Sequence, residues 1–253
     1  MSLVVERAGK VATVKIDRPP ANALTLALYE EIADLFDELS GDSAVSCIIL
    51  TATGSRAFCA GLDLKEFITA TVEEDPHRAQ IVRRTFAAVR HAKVPVIAAV
   101  NGPALGAGCV LASVCDIRLA APNATFGLPE VNVGRCGGTA HMGRHLPQGI
   151  LRQMVFTGKP ISADEAYRFG FVNAIHAGDA LLGAAEEMAA IIAEKAPLGL
   201  RLGKESMNAA EFMAVDDGYA LEQTYSTRLM TTEDAREAAR AVVEKRAPIF
   251  VGR

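Results

Sequence analysis

Two stretches of small residues place backbone amides where they can stabilise negative charge. The first, "GSRAFCAGLDL" (54–64), and the second, "NGPALGAG" (101–108), each follow a predicted buried strand and lead into a predicted helix. The first amides of a helix have no partner within it, small residues let a ligand approach the backbone, and the helix dipole favours an anion. Side by side, the two turns would form an oxyanion hole. Their spacing is equally compatible with ordinary turn chemistry.

Other catalytic motifs fit poorly. "GAGCVL" (106–111) lacks the last small residue of a dinucleotide fingerprint, and "GLRLGKE" (199–205) is one residue short of a phosphate-binding loop. No GxSxG nucleophile elbow is present. Cys59 and Cys109 lie in the two turns, but their glycine and apolar neighbours favour small buried packing groups over nucleophiles. These patterns leave the two turns as the main chemical signal.

A metal site is also not expected. His141 and His145 have the i, i+4 spacing that places side chains on one helix face, but no HExxH motif supplies a base or further ligands. Two histidines beside Arg144 more often form a polar helix face. We therefore predict no metal.

Composition predicts a globular protein with a sizeable core. The chain has 253 residues, which suits one large domain or a domain with a subdomain, and 50% of them are apolar. The net charge of −4 gives no attraction to nucleic acids or anionic membranes. The start of the chain lacks a basic segment followed by an apolar stretch, and the five cysteines form no CxxC pair. We predict reduced thiols, a cytoplasmic location, and neither nucleic-acid nor membrane binding.

Periodicity predicts an α/β architecture in the first half of the chain. Residues 3–17 alternate around Ala8-Gly9 as in a β-hairpin. Buried strands are predicted at 47–51, 94–100 and 116–121, and amphipathic helices at 24–39 and 77–92, the latter with its arginines on a solvated face. The repeat of strand, glycine turn and helix at 47–67 and 94–114 favours largely parallel pairing.

The second half is predicted to become helical. "ISADEAYRFG" contains a Ser162…Glu165 capping box, and no strand is predicted after about residue 176. Ala/Glu-rich segments at 179–195, 200–213 and 216–246 predict helices. The division we predict is a core at 1–195, which carries the site, and a helical subdomain at 196–253.

At these turns the sequence strongly resembles the enoyl-CoA hydratase/isomerase (crotonase) family. The matching stretches keep the family order over nearly the whole chain. They are "PPANAL" (19–24), "AFCAGLDLKEF" (57–67), "VPVIAAVNGPALGAGCVLASVCDIRLAA" (94–121), "ATFGLPEVNVG" (124–134), "FTGKPISADEAYRFGFVNAI" (156–175) and "EAARAVVEKRAPIF" (237–250).

The resemblance implies a crotonase-like spiral of ββα repeats with a helical C-terminal subdomain. That subdomain is expected to close the CoA pocket and to form trimers, often paired into hexamers. It implies a coenzyme A thioester as substrate and no cofactor beyond it. In the family, two backbone N–H groups hold the thioester oxygen, and here they belong to Leu62 and Ala107. Losing one such donor typically costs about 3–4 kcal/mol of transition-state stabilisation.

The resemblance also indicates substrate-binding positions. Lys65 matches a residue that contacts the CoA nucleotide, with a solvent-facing lysine as the alternative, and Asp63 is expected to fix its turn. Arg135 lies in a segment that is shorter than in typical hydratases, so the acyl-binding wall is expected to differ. The predicted substrate-binding set is Asp63, Lys65, Gly106, Gly108, Val110 and Arg135.

The family's acid/base residue corresponds to Glu130. Hydratases of the family use two glutamates to hold water, and the second would fall at position 110, which is Val110 here. Apolar neighbours of Glu130, such as Phe126 and Leu128, can raise its pKa and suit it to giving and taking protons. The valine places the two-carboxylate mechanism in question.

Three functions follow. In the first, which we slightly favour, Glu130 alone moves a proton and converts 3-enoyl-CoA to 2-enoyl-CoA. In the second, water adds to 2-enoyl-CoA with Glu130 alone or with a helper, for which Arg135, Cys136 and His141 are candidates because they follow Glu130 closely in sequence. In the third, the protein is an oligomer that binds CoA thioesters with little catalysis.

Overall fold

One mixed sheet organises the core. A computed structural model describes residues 2–253. Its main sheet has the strand order β1-β2-β3-β4-β6-β9, in which β1 and β2 are antiparallel and every later pair is parallel. In that part of the chain the strands are β1 (Leu3–Ala8), β2 (Val11–Ile16), β3 (Cys47–Ala52), β4 (Val96–Val100), β5 (Ala104–Leu105), β6 (Ile117–Ala120), β7 (Thr125–Gly127), β8 (Ile161–Ser162) and β9 (Ala174–Ile175). The predicted hairpin and parallel pairing are confirmed.

The helices cover both faces of this sheet. They are α1 (Leu26–Gly41), α2 (Leu64–Phe67), α3 (Asp75–Arg90), α4 (Ala107–Ser113), α5 (Thr139–Met142), α6 (Gln148–Thr157), α7 (Ala163–Arg168), α8 (Leu181–Ala193), α9 (Pro197–Ala210), α10 (Val215–Met230) and α11 (Glu233–Glu244), with a 3₁₀ helix at Pro129–Val133. The predicted capping box is present, since Ser162 Oγ accepts from Glu165 N at 3.2 Å.

The central strands are apolar on both faces because both faces are covered. Along β3, Ile48 and Leu50 enter the larger core, which α1 and α3 also line. Cys47 and Ile49 alternate to the opposite face and pack with α8. Fully buried parallel strands therefore read as continuous apolar runs.

A small second sheet brings distant segments to one place. It has the order β5-β7-β8, and Leu105 of β5 pairs in parallel with Gly127 of β7. Gly106 N donates to the carbonyl oxygen of Gly127 at 2.8 Å. The glycine turn before α4 is thereby fixed beside the segment that precedes Glu130.

The arginines of α3 differ from the prediction. Arg84 is exposed and pairs with Asp34 at 2.5 Å, as expected of a solvated face. However, the side chains of Arg78 and Arg90 are only 12% and 19% exposed, so the prediction is wrong for these two. Arg90 is covered because Glu211, at the end of α9, pairs with it.

Buried polar contacts attach the C-terminal helices to the sheet. Lys204 of α9 is 3% exposed, and its Nζ donates to Asp116 Oδ2 at 2.7 Å and to the Val94 carbonyl at 3.0 Å. The predicted helical segment 216–246 is two helices, because Thr232 caps α11 by accepting from Ala235 N. Between residues 2 and 253, no helix is both long and apolar enough to cross a membrane.

Candidate active site

The two small-residue turns lie in direct contact. Isolated bridges tie Cys59 to Ala104 and Leu62 to Leu24. A methyl group placed on Gly61 would lie 2.8 Å from the carbonyl oxygen of Leu105 and 3.5 Å from the amide nitrogen of Ala107. The predicted side-by-side arrangement is therefore present.

Two glycines make this contact sterically feasible. A methyl group on Gly108 would lie 2.1 Å from the carbonyl oxygen of Cys59, which no side chain can tolerate. Gly106 has a backbone φ of 54°, a conformation that residues other than glycine rarely adopt. Gly108 does not line the cavity, in contrast to its predicted place in the substrate-binding wall, because it packs against Cys59 behind that wall.

Both predicted oxyanion amides are free to bind a ligand. Ala107 is the first residue of α4, so its N–H has no acceptor within the helix. Within residues 2–253, neither Ala107 N nor Leu62 N donates a hydrogen bond to another part of the protein. Both residues line the same cavity. The pair can donate to one ligand oxygen.

Asp63 holds the first turn in place. Its Oδ1 accepts from Lys65 N at 2.9 Å as the N-cap of α2, and its Oδ2 pairs with Arg18 at 2.6 Å. Both carboxylate oxygens therefore have partners. This arrangement agrees with the prediction that Asp63 fixes the turn.

Glu130 presents an unpaired carboxylate beside the second turn. It lies in the 3₁₀ helix, and a methyl group on Gly106 would be 3.1 Å from Glu130 Oε1. Its Oε2 is buried and has no hydrogen-bond partner among the described residues. Burial raises the pKa of Glu130 above its ordinary value of 4.5. An unpaired carboxylate of raised pKa can both take and return a proton.

A cavity of about 890 Å³ joins these groups. This volume is that of a site for a small molecule. Its wall contains the predicted Leu62, Asp63, Lys65, Gly106, Ala107, Val110, Glu130 and Arg135. Val110 is 3% exposed and presents only methyl groups, so the wall has no carboxylate at that position.

Arg135 and Lys65 lie differently in the wall. Arg135 pairs with Asp75 at 2.8 Å and lies over the ring of Phe67 at 5.1 Å. Lys65 is exposed and lines the cavity. Its exposure is compatible with either of its two predicted roles.

Of the other residues considered as nucleophiles or helpers, only Cys136 lies in the cavity wall. Burial raises the pKa of Cys59 to about 12 and also raises that of Cys109, as expected of packing groups. His141 packs edge-on against Phe86 and is absent from the cavity wall, whereas Cys136 lies in it. Over residues 2–253, no cluster of three metal-ligating side chains occurs.

Three polar residues of the wall were not predicted from the sequence, namely Arg18, Tyr29 and Asn132. Of these, Tyr29 lies in the first turn of α1, is 2% exposed and lines the same cavity as Glu130. The helical spacing of Leu28 and Ile32 marks this face of α1 as buried. A tyrosine on such a face was the available signal.

Solved structures define the class of fold. The chain superimposes with a TM-score of 0.96 on the crystal structure of an enoyl-CoA hydratase from Bacillus anthracis, at 33% identity and 100% coverage of both chains. The structure of DspI from Pseudomonas aeruginosa matches with a TM-score of 0.95 at 30% identity, covering 99% of this chain and 97% of that one. The protein has the crotonase fold.

Sequence relatives then define the family. The enoyl-CoA hydratase/isomerase model matches residues 6–253. The short-chain-enoyl-CoA hydratase of Clostridium acetobutylicum is 38% identical over 97% of this chain and 95% of its own length. The 2,3-dehydroadipyl-CoA hydratase of Escherichia coli is 35% identical over 99% of both. The chain belongs to the enoyl-CoA hydratase/isomerase family of enzymes. An acyl-CoA thioester substrate is consistent with this family.

The raised pKa of Glu130 predicts a pH dependence. The Glu130 carboxylate accepts a proton only when it is ionised. We therefore expect kcat/KM for the acyl-CoA substrate to fall as the pH falls through the pKa of Glu130 and to stay level above that pKa. We expect the midpoint of this acid limb above 4.5, because burial raises the pKa. Initial rates from pH 4 to 9, with circular dichroism at each pH to exclude unfolding, measure it. A midpoint at or below 4.5 in folded protein would contradict this assignment.

Proposed function

We propose that this enzyme isomerises 3-enoyl-CoA to 2-enoyl-CoA, with Glu130 as its single acid/base. One observation carries the proposal: of the two carboxylates in the cavity wall within residues 2–253, only Glu130 is unpaired. Asp63, the other, is held by Arg18. A single mobile proton carrier suits a proton shift between carbons.

The thioester oxygen would bind between the amides of Leu62 and Ala107. Glu130 takes a proton from C2, and the electrons of that C–H bond move into a dienolate whose negative oxygen the amides stabilise. Glu130 then returns the proton to C4, and the double bond moves from C3=C4 to C2=C3. Nothing is oxidised or reduced, and the carboxylate is regenerated. General acid–base catalysis of this kind contributes about 10²–10⁴-fold.

The apolar side of the cavity supports the same choice. The side chains of Val110 and Leu128 both lie against Gly138. A methyl group on Gly138 would be 2.7 Å from each of these two side chains. The side chains of Val110 and Leu128 cannot form a hydrogen bond with a water molecule. This side of the cavity therefore favours proton transfer over water addition.

Hydration of 2-enoyl-CoA is the second candidate, and two observations favour it. A short-chain-enoyl-CoA hydratase and a crotonyl-CoA hydratase are 38% and 35% identical to this chain. In addition, the hydroxyl of Tyr29 belongs to the cavity wall.

The choice is tested with 2-enoyl-CoA and 3-enoyl-CoA of matched chain lengths. We expect 3-enoyl-CoA to yield 2-enoyl-CoA faster than 2-enoyl-CoA yields 3-hydroxyacyl-CoA, as followed by chromatography. Faster hydration at every chain length would replace the first candidate by the second. Tight acyl-CoA binding without turnover would favour the weakly catalytic alternative.

Val110→Glu is predicted to increase hydration. A carboxylate at this position would restore the pair that holds water in the family's hydratases, and we expect about 10-fold or more faster formation of 3-hydroxyacyl-CoA. Val110→Gln is the matched control, because it has the same size without the charge. Equal hydration rates in the glutamate, glutamine and parent proteins would contradict the prediction.

We further propose that the C-terminal subdomain mediates a homotrimer or hexamer. The C-terminal subdomain carries exposed apolar side chains, which suit contact with another subunit. They include Phe212 at 75% and Val215 at 85% exposure. Sedimentation equilibrium of the purified chain tests this, and a monomer at micromolar concentration would contradict it.

The division at 195/196, the cytoplasmic location and the absence of a further cofactor remain predictions.

A further inference from the structure

Tyr29 is a rigid part of the cavity wall. Its ring meets that of Phe86 edge-on, with centroids 6.2 Å apart and planes at 81°. The hydroxyl of Thr85 donates to the Tyr29 carbonyl at 2.8 Å and so ties α1 to α3. A side chain enclosed in this way holds a fixed position.

The Tyr29 hydroxyl has no partner within the protein. Across residues 2–253 it makes no hydrogen bond, and it is not one of the fully enclosed side-chain atoms that lack a partner, although the residue as a whole is 2% exposed. The hydroxyl therefore keeps contact with the cavity that Tyr29 lines. A polar atom of a ligand or a water molecule in the cavity can pair with it.

Glu130 is the group near this hydroxyl that also faces the cavity. Burial raises the pKa of Tyr29, and the neighbouring Cys59, Glu130 and Glu66 raise it further, against the charge of Arg78. Arg78 and Glu66 face each other at 4.0 Å and, like Cys59, are not part of the cavity wall. The phenol therefore stays protonated and shares the cavity with one unpaired carboxylate, that of Glu130.

We propose that the Tyr29 hydroxyl and Glu130 together hold an oxygen atom at C3 of the acyl chain, so that the site also hydrates 2-enoyl-CoA. The proposal rests on the proposed function, since it uses the same carboxylate and amide pair. Tyr29 takes the place of the carboxylate that Val110 lacks, from a different helix.

Addition of water to 2-enoyl-CoA at this site needs no further reactant. Glu130 takes one proton from water while the water oxygen bonds to C3, and the C2=C3 electrons move toward the thioester oxygen held by Leu62 and Ala107. Glu130 then gives its proton to C2, and the thioester carbonyl re-forms. Tyr29 orients the oxygen and keeps its own proton, so both additions come from the side of Glu130.

Tyr29→Phe tests this role, because it keeps the ring and removes the hydroxyl. In the full-length protein we expect hydration of 2-enoyl-CoA to fall about 10-fold, the upper range of one hydrogen bond, and isomerisation of 3-enoyl-CoA to fall several-fold less. Tyr167→Phe, at an exposed tyrosine outside the cavity, is the matched control and should leave both rates unchanged.

Several results would overturn the proposal. A parent protein without hydration, equal loss of both activities in Tyr29→Phe, or no loss in either would each do so. The proposed isomerisation survives the first and third results, and it fails separately if Glu130→Gln isomerises normally.

If Tyr29→Phe does not fold, binding to Glu130→Ala replaces the test. The remaining hydroxyl of Tyr29 should make 3-hydroxyacyl-CoA bind several-fold more tightly than the matched saturated acyl-CoA in calorimetry. Equal dissociation constants would overturn the proposal.

Discussion

Glu130→Gln should lower kcat for 3-enoyl-CoA isomerisation by about 10²–10⁴-fold, the range typical of a removed general base. Glutamine has nearly the same shape and cannot take a proton from C2. The Oε2 atom of Glu130 is buried without a partner, so its replacement breaks no hydrogen bond of that atom with the described protein. The loss should therefore fall on kcat rather than on stability.

The controls for Glu130→Gln separate chemistry from binding. The dissociation constant for a saturated acyl-CoA should change by less than about 3-fold, because the amides of Leu62 and Ala107 remain. Glu222→Gln, at an exposed glutamate of α10, should behave as the parent protein. Parent-like turnover by Glu130→Gln would remove Glu130 from the mechanism.

Ala107→Pro should lower kcat by at least about 10²-fold, since it removes one oxyanion donor. Proline is tolerated at the first position of a helix, where its missing N–H has no partner within the helix. Gly106 has φ 54° and ψ −122°, the mirror image of the extended conformation favoured before proline, and glycine adopts both forms. The proline ring also occupies the place of the thioester oxygen, so the loss can exceed that of one hydrogen bond.

Ala107→Ser is the matched control for this substitution. It changes the side chain and keeps the backbone N–H, so we expect activity within about 3-fold of the parent. Thermal unfolding of both variants shows whether α4 is intact. If folded Ala107→Pro keeps normal turnover, the thioester oxygen does not bind at this amide.

Much of the fold could be predicted because the relevant signals are local. The continuous apolar run of β3, the helical spacing of α1 and the capping box at Ser162 each indicate an element without reference to the rest of the chain. The two- and three-residue strands β5, β7 and β8 could not be predicted. Tertiary pairing, such as that of Leu105 with Gly127, defines them.

The site divides in the same way. Small residues at 106–108 indicate accessible amides, and the structure places these beside Gly61. The sequence does not show that the buried face of α1 closes the same cavity, because that depends on how α1 packs against α3. The sequence pattern therefore does not indicate Tyr29 as a site residue, and it places the partly buried Arg78 on a solvated face.

Solvent deuterium incorporation tests the central claim most directly, namely that Glu130 carries the substrate proton. Incubation of 3-enoyl-CoA in deuterated water with the parent protein should give 2-enoyl-CoA, which carries deuterium to the extent that the Glu130 carboxyl proton exchanges with solvent between its two transfers, as read by mass spectrometry and NMR. Under the same conditions Glu130→Gln should give neither product nor label above background. Labelling by folded Glu130→Gln at the parent rate would contradict the claim, because another group would then be moving the proton.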